Sequence, residues 1–271
     1  MIKKLVSRYM TDQVSSHAAA LAYYLLFSLF PLLILLGQIL GGLHLDVDTV
    51  QRLLMHVMPS STVDMMTSYL RYITNSFNTS VMIFSLVFSI YFPYRVVARL
   101  MGDVRRAWGQ KEEPVSLKYI GKVLLCTLLF PTTVFLSLLM IIFGHNVISF
   151  LLHLLLPGTV RISSVLLDTW QYLRFAAAAA LMAFSLGVVY EFSLDEFVPV
   201  KTIRKGTMLA IIVWLAGSVL FSAYVENYAD YSLIYGTLGA FVVLMMWLWM
   251  TALIFIMGAE YNALKAEREK L

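Results

Sequence analysis

The sequence predicts an all-α polytopic integral membrane protein with six transmembrane helices plus short interfacial helices. Three observations carry this expectation. Apolar residues make up 60% of the chain and charged residues 13%, against about 45–50% and about 25% in soluble domains. Mean hydropathy is +0.80, and several apolar runs approach or exceed the ~20 residues that cross a bilayer core as a helix. Lys and Arg also gather on alternate sides of those runs, the asymmetry that orients membrane proteins.

Residues 1–17 read as a cytoplasmic amphipathic helix. Ile2, Leu5, Val6 and Tyr9 share one face, and Lys3, Lys4, Ser7 and Arg8 lie elsewhere, the pattern of a basic interfacial helix. The first apolar run, Ala18–Leu40, is longer than the roughly 7–15 residues of a cleavable signal core, so it reads as an uncleaved span. Within it, Ser28 and Pro31 form a polar, kinked middle. The Ser28 hydroxyl either satisfies a carbonyl that the proline leaves free or lines a pathway. Residues 41–79 follow as an extracytoplasmic segment. The spacing of Val50, Leu53, Leu54 and Val57 and the capping-box pattern Ser61 to Asp64 indicate two short helices there.

The second span, Ser80–Leu100, is interrupted near its end by Pro93 and Arg95, and residues 95–119 read as a basic cytoplasmic loop. Ile120–Phe143 is the third span. Residues 144–172 are then extracytoplasmic; His145–Leu156 within them is nearer the ~10–14 residues of a re-entrant or interfacial segment, closed by Pro157 and Gly158. Leu173–Phe192, Thr207–Val225 and Ile234–Ala259 complete the set, and residues 1–271 form a single membrane domain. One side gathers Lys3, Lys4, Arg8, the basic run Arg95–Lys122, Lys201, Arg204, Lys205, Lys265, Arg268 and Lys270. The other holds Arg52, Arg71, Arg161 and Arg174. Both termini are therefore expected in the cytoplasm, as an even number of spans requires.

Several function classes find no support. The pI of 9.1 is explained by orientation, so no nucleic-acid partner is expected. A single cysteine, Cys126, excludes an intrachain disulfide. Five histidines include no HExxH pair, and there is no GxSxG or phosphate-cradling GxxxxGK[ST]. His44 and His56 share the outer segment with Asp46, Asp48 and Asp64, where solvation is a commoner fate than metal binding. No catalytic residue, metal or cofactor is expected, and the chain does not read as an enzyme.

What remains is a small set of polar groups near the ends of apolar runs. Glu191 ends the fourth span, Arg174 opens it, and Glu226 closes the fifth. Glu260 and Asn262 follow the last run within Gly258–Ala263, where small residues let helices approach and polar ones bridge them. Glu260 either pairs with an arginine of the cytoplasmic loops (Arg95, Arg99, Arg105, Arg106 or Arg204), carries a proton or substrate, or faces solvent. Asn262 points about 200° away from Glu260 on a helix of ~3.6 residues per turn, so the two address different partners. Tyr235, Gly236 and Gly239 open the last span and suggest close packing or a flexible start.

These stretches resemble the YihY/BrkB family of bacterial inner-membrane proteins. The resemblance rests on AAALAYYLLFSLFPLL at Ala18–Leu33, RVVARLMGDVRRAWGQKEE at Arg95–Glu113, YGTLGAF at Tyr235–Phe241 and GAEYNA at Gly258–Ala263, with Trp247 between the last two. It implies a six-helix integral inner-membrane protein. The family also carries an old label, ribonuclease BN, which the residues above do not support. Lipid or ion transport is often supposed for it.

The expected role is moving or accommodating a lipid, another amphiphile or an ion within the bilayer. The competing role is an envelope scaffold without transport; a membrane hydrolase ranks third. Membrane lipids are the expected partners, alongside a second copy of the chain or an envelope protein. A transporter needs a cavity reached by polar groups, whereas a scaffold needs tight small-residue seams.

Overall fold

The structure, a computed structural model, describes residues 1–42, 68, 71–72, 77–111, 116–155, 160–195, 198–228 and 237–269. Among these the chain forms seven α-helices: α1 (Ile2–Thr11), α2 (Val14–Gly42), α3 (Thr79–Ala107), α4 (Leu117–Leu155), α5 (Val160–Phe192), α6 (Val200–Tyr228) and α7 (Thr237–Glu269). Five of them carry stretches long and apolar enough to cross a membrane: Val14–Ile39, Thr79–Ala107, Leu173–Phe192, Lys201–Val225 and Gly239–Glu269. The expected third span falls within α4.

Helix boundaries differ from the sequence reading in three places. The second span runs on past Leu100 to Ala107, through both Pro93 and Arg95, so the first half of the expected 95–119 loop is helical. It stops where a glycine makes stopping favourable. Gly109 adopts φ +67, and its N–H donates to Arg106 O at 2.9 Å while that of Gln110 donates to Arg105 O at 2.9 Å, the paired bonds that close a helix C-terminus. Of the expected 144–172 segment, residues 144–155 continue α4 and residues 160–172 begin α5, two helices of 39 and 33 residues. Hydropathy marks where a helix is oily, not where its hydrogen bonding stops. At the N-terminus, α1 ends at Thr11 and α2 begins at Val14. Gln13 takes a left-handed φ of 49, a conformation that costs a non-glycine residue about 1–2 kcal/mol. Its carbonyl accepts the N–H groups of Ser16 and His17 at 2.9 and 3.2 Å, so the turn also starts the next helix. Most of the expected 41–79 segment, with His44, Asp46, Asp48, His56 and Asp64, lies outside the described residues.

Residues pack as two compact units, 1–22 with 97–271, and 23–96. In the first, α4 packs on α5, α5 on α6, α6 on α7, and α1 on α7. Its buried residues are often small or β-branched, including Ala18, Ala22, Val104, Val123, Ala210, Ala252, Ala259 and Ala263, as expected where helix association in lipid depends on close backbone approach. In contrast, Ile212, Val219 and Leu220 of α6 are more than 60% exposed, an outer face suited to acyl chains.

The second unit is organised by aromatic rings. Tyr23 and Phe27 lie 4.5 Å apart, Phe27 and Phe92 5.7 Å, and Phe88 stacks on Phe92 at 5.6 Å, within the range of favourable ring pairs. Arg95 sits over the Tyr24 ring, 5.4 Å from its centre.

Candidate functional site

The last helix presents its Gly258–Ala263 stretch inward, and Glu260 is 2% exposed. A buried carboxylate is tolerated only with compensation. Arg8 of α1 supplies it: one Nη donates to Glu260 Oε2 at 3.1 Å and to Ala107 O at 2.9 Å, and the other donates to Glu267. Burial is the largest influence on the guanidinium and disfavours its charge, yet the hydrogen bonds and charges of Glu260 and Glu267 leave its pKa raised. The turn at Gln13 precedes α2 and leaves α1 free to lie along α7.

The partner is thus none of the arginines considered from the loops. Arg95 is engaged with Tyr24. Arg99 and Arg106 gather at Asp103, 3.9 and 3.0 Å from Oδ1, with His17 3.2 Å from the same oxygen. Arg105 is buried and forks onto Asp195 at 2.8 and 2.7 Å while donating to the carbonyls of Ser193 and Lys111. That geometry uses most of the guanidinium fork, and it holds the Asp195 carboxyl below the usual range, chiefly through the hydrogen bonds from Arg105. Arg204 belongs to a different place, described below.

Two positions beyond Glu260, Asn262 turns to α6. Its Oδ1 accepts the Gly206 N–H at 2.7 Å. The approach is close because neither crossing residue has a side chain: a Cβ on Gly206 would lie 2.4 Å from Gly258 O and 2.3 Å from Asn262 Oδ1. A Cβ on Gly258 would meet the Tyr190 hydroxyl at 2.7 Å and the Ala210 methyl at 2.8 Å. Tyr190, buried on α5, donates its hydroxyl to Phe255 O. Three helices are therefore locked at one level by glycine contact and side-chain-to-backbone hydrogen bonds. Asn262 Nδ2 is buried without a partner among the described residues.

Between α5 and α6 the packing opens into a cavity of about 300 Å³. From α5 it is lined by Ala180, Ala183, Phe184, Gly187, Val188 and Glu191, a stripe at helical spacing. Ile203, Arg204, Thr207 and Met208 of α6 face it. Ala180, Ala183 and Gly187 leave the space, and Glu191 and Arg204 are its charged members. Glu191 is half-buried and Arg204 exposed. Both lie at the ends of apolar stretches, Leu173–Phe192 and Lys201–Val225.

The remaining expected residues fall elsewhere. Arg174 is half-buried on α5, its guanidinium 5.0 Å from the centre of the Phe175 ring. Ser28 is buried, but its hydroxyl donates to Leu25 O at 2.6 Å, not to the carbonyl four residues before Pro31, so it does not repair the proline break. Pro31 is buried inside α2 and Gly239 is buried at the start of α7. Tyr235, Gly236 and the Glu226 side chain lie outside the described residues. The residues that complete these sites but went unremarked are Gly206, Gly187 and Asp195. The groove had a legible signal, small residues at helical spacing ending on Glu191; the long-range partners had none. No cluster of three metal-ligating side chains occurs among the described residues.

Five helices among the described residues, each long and apolar enough to cross a membrane, define a membrane protein. The chain belongs to the Virulence factor BrkB family, whose model matches residues 5–271. Among its relatives is the ribonuclease-like protein YfkH of Bacillus subtilis (strain 168), 26% identical over all of this chain and 96% of the relative. The UPF0761 membrane protein VV0203 of Vibrio vulnificus (strain YJ016) is 23% identical over 99% of this chain and 83% of its own length. The UPF0761 membrane protein PSPA7_4558 of Pseudomonas paraeruginosa is 22% identical; the match covers 94% of this chain and 60% of that longer protein. No solved structure matches the chain.

Proposed function

We propose that this chain is a bacterial inner-membrane protein that accommodates, and by extension moves, an amphiphile in the groove between α5 and α6. The observation behind this reading is the cavity itself, about 300 Å³ with an almost wholly apolar lining and a carboxylate and a guanidinium among its residues. That volume is at the lower end of the ~300–1,000 Å³ typical of ligand sites and suits part of an amphiphile whose remainder stays in the bilayer. Six spans with both termini cytoplasmic follow if α4 also crosses, in keeping with the Lys and Arg asymmetry. The role proposed is a non-enzymatic one: the ribonuclease-like name belongs to one relative, and this sequence carries no HExxH, GxSxG or GxxxxGK[ST] motif to support it.

Filling the groove tests the proposal. Ala183→Leu and Gly187→Leu should reduce the lipid that co-purifies with the detergent-solubilised protein, as counted by native mass spectrometry. Unchanged lipid retention in both variants would reject the groove as a site. The scaffold reading draws on the α6–α7 seam at Gly206 and Gly258; it gains if groove filling is silent while seam variants lose folded protein.

A further inference from the structure

We infer that the α5–α6 groove takes a single phospholipid with a zwitterionic head, its primary amine on Glu191 and its phosphodiester on Arg204. This assignment rests on the groove being an amphiphile site and names the chemistry that site selects. The lining residues of α5 run from Ala180 to Glu191, eleven residues or about 16 Å of helix at ~1.5 Å per residue. That is roughly half of a hydrocarbon core about 30 Å thick, so the groove has the depth of one leaflet. Its charged members stand at one end, beside the connection between α5 and α6. A lipid has the same layout, with charge at one end and a one-leaflet tail below.

The signs narrow the class. Among the described residues neither Glu191 nor Arg204 has an ion-pair partner, although both line the same groove. An anionic head would satisfy Arg204 and be repelled by Glu191. A head bearing both an ammonium and a phosphate matches both, and a primary amine donates hydrogen bonds that a quaternary one cannot. The floor below is built for an acyl chain: Ala180, Ala183 and Gly187 leave the room, and Phe184 and Met208 give it walls. Even at Gly187 a Cβ would come no nearer than 3.9 Å to Thr207, so this stretch is open where the Gly206–Gly258 crossing is closed.

The test uses the full chain in nanodiscs of equal phosphatidylethanolamine and phosphatidylglycerol, with bound lipid read by native mass spectrometry after mild stripping. The parent should enrich phosphatidylethanolamine. Glu191→Gln should reduce that enrichment roughly five- to tenfold, the loss of one charge-assisted contact near the water boundary, and Glu191→Asp should keep most of it. Arg204→Gln should lower retention of both lipids alike, since both carry the phosphate. Soluble glycerophosphoethanolamine should not displace the lipid, because it lacks the tail. If the parent shows no preference, or Glu191→Gln leaves the preference intact, the headgroup assignment is overturned while the groove stands. If Ala183→Leu and Gly187→Leu both leave total lipid unchanged, the groove reading fails first. Displacement by the soluble headgroup would replace a lipid with a small solute.

Discussion

Arg8 on the first helix and Glu260 on the last meet at 3.1 Å across 252 residues of chain, and that ion pair holds α1 against α7. Removing one partner of a buried pair costs about 3–5 kcal/mol, against about 0–1 for an exposed one. Glu260 is 2% and Arg8 20% exposed, so Arg8→Ala should fall between these limits. The loss should appear as a lower melting temperature and reduced folded yield in detergent. Arg8→Ala with Glu260→Ala should cost less than the sum of the two single changes, because the double variant leaves no buried charge orphaned, Glu267 being exposed. Strict additivity would show that the pair contributes no coupling.

Gly206→Ala should destabilise while Gly187→Ala should not. On Gly206 the new methyl would overlap Gly258 O and the Asn262 side chain at 2.4 and 2.3 Å, and such overpacking costs typically about 1–3 kcal/mol. On Gly187 it meets only ordinary contacts at 3.9 Å. Thermal unfolding of both variants beside the parent checks this. Equal melting temperatures for the two would mean that α6 and α7 do not cross so closely.

Asp195 makes stability depend on acidity in a defined direction. Its carboxyl is lowered from 3.8, principally by the hydrogen bonds from Arg105. A lowered folded pKa gives stability that is fully present above the unfolded value and fades as pH falls through the folded one. Asp195→Asn should therefore be less stable than the parent at neutral pH, and the gap should narrow below about pH 4. A gap that stays constant down to pH 3 would dissociate the Asp195–Arg105 pair from the stability of the fold.

Cysteine labelling from each side of the membrane should place Asp48 opposite Arg268. The expectation follows from the distribution of Lys and Arg and from the six crossings proposed above. Labelling of both positions from one side would reduce the number of spans or reverse part of the bundle.

The helical architecture was legible because an apolar run long enough to cross a bilayer is a local property. Its limits were less so. The Leu117–Leu155 and Val160–Phe192 helices extend beyond their oiliest stretches, and hydropathy carries no mark of that extension. Pro157 and Gly158, expected to close the 145–156 segment, lie outside the described residues. Glu260 and Asn262 stood out as polar residues at the end of an apolar run, but their partners did not. In the sequence Arg8 is one basic residue of an interfacial helix, and nothing local singles out Gly206. Pairing across hundreds of residues is written in the packing alone, and no local pattern announces it.

The order in which the chain is made gives the Arg8 contact another meaning. Arg8 leaves the ribosome well before the carboxylate that receives it, which lies 252 residues further along the chain. Until then the N-terminal helix lacks its Glu260 and Glu267 acceptors. Docking of α1 therefore reports that α7 has been made, so this one ion pair distinguishes a chain that already carries α7 from one that does not.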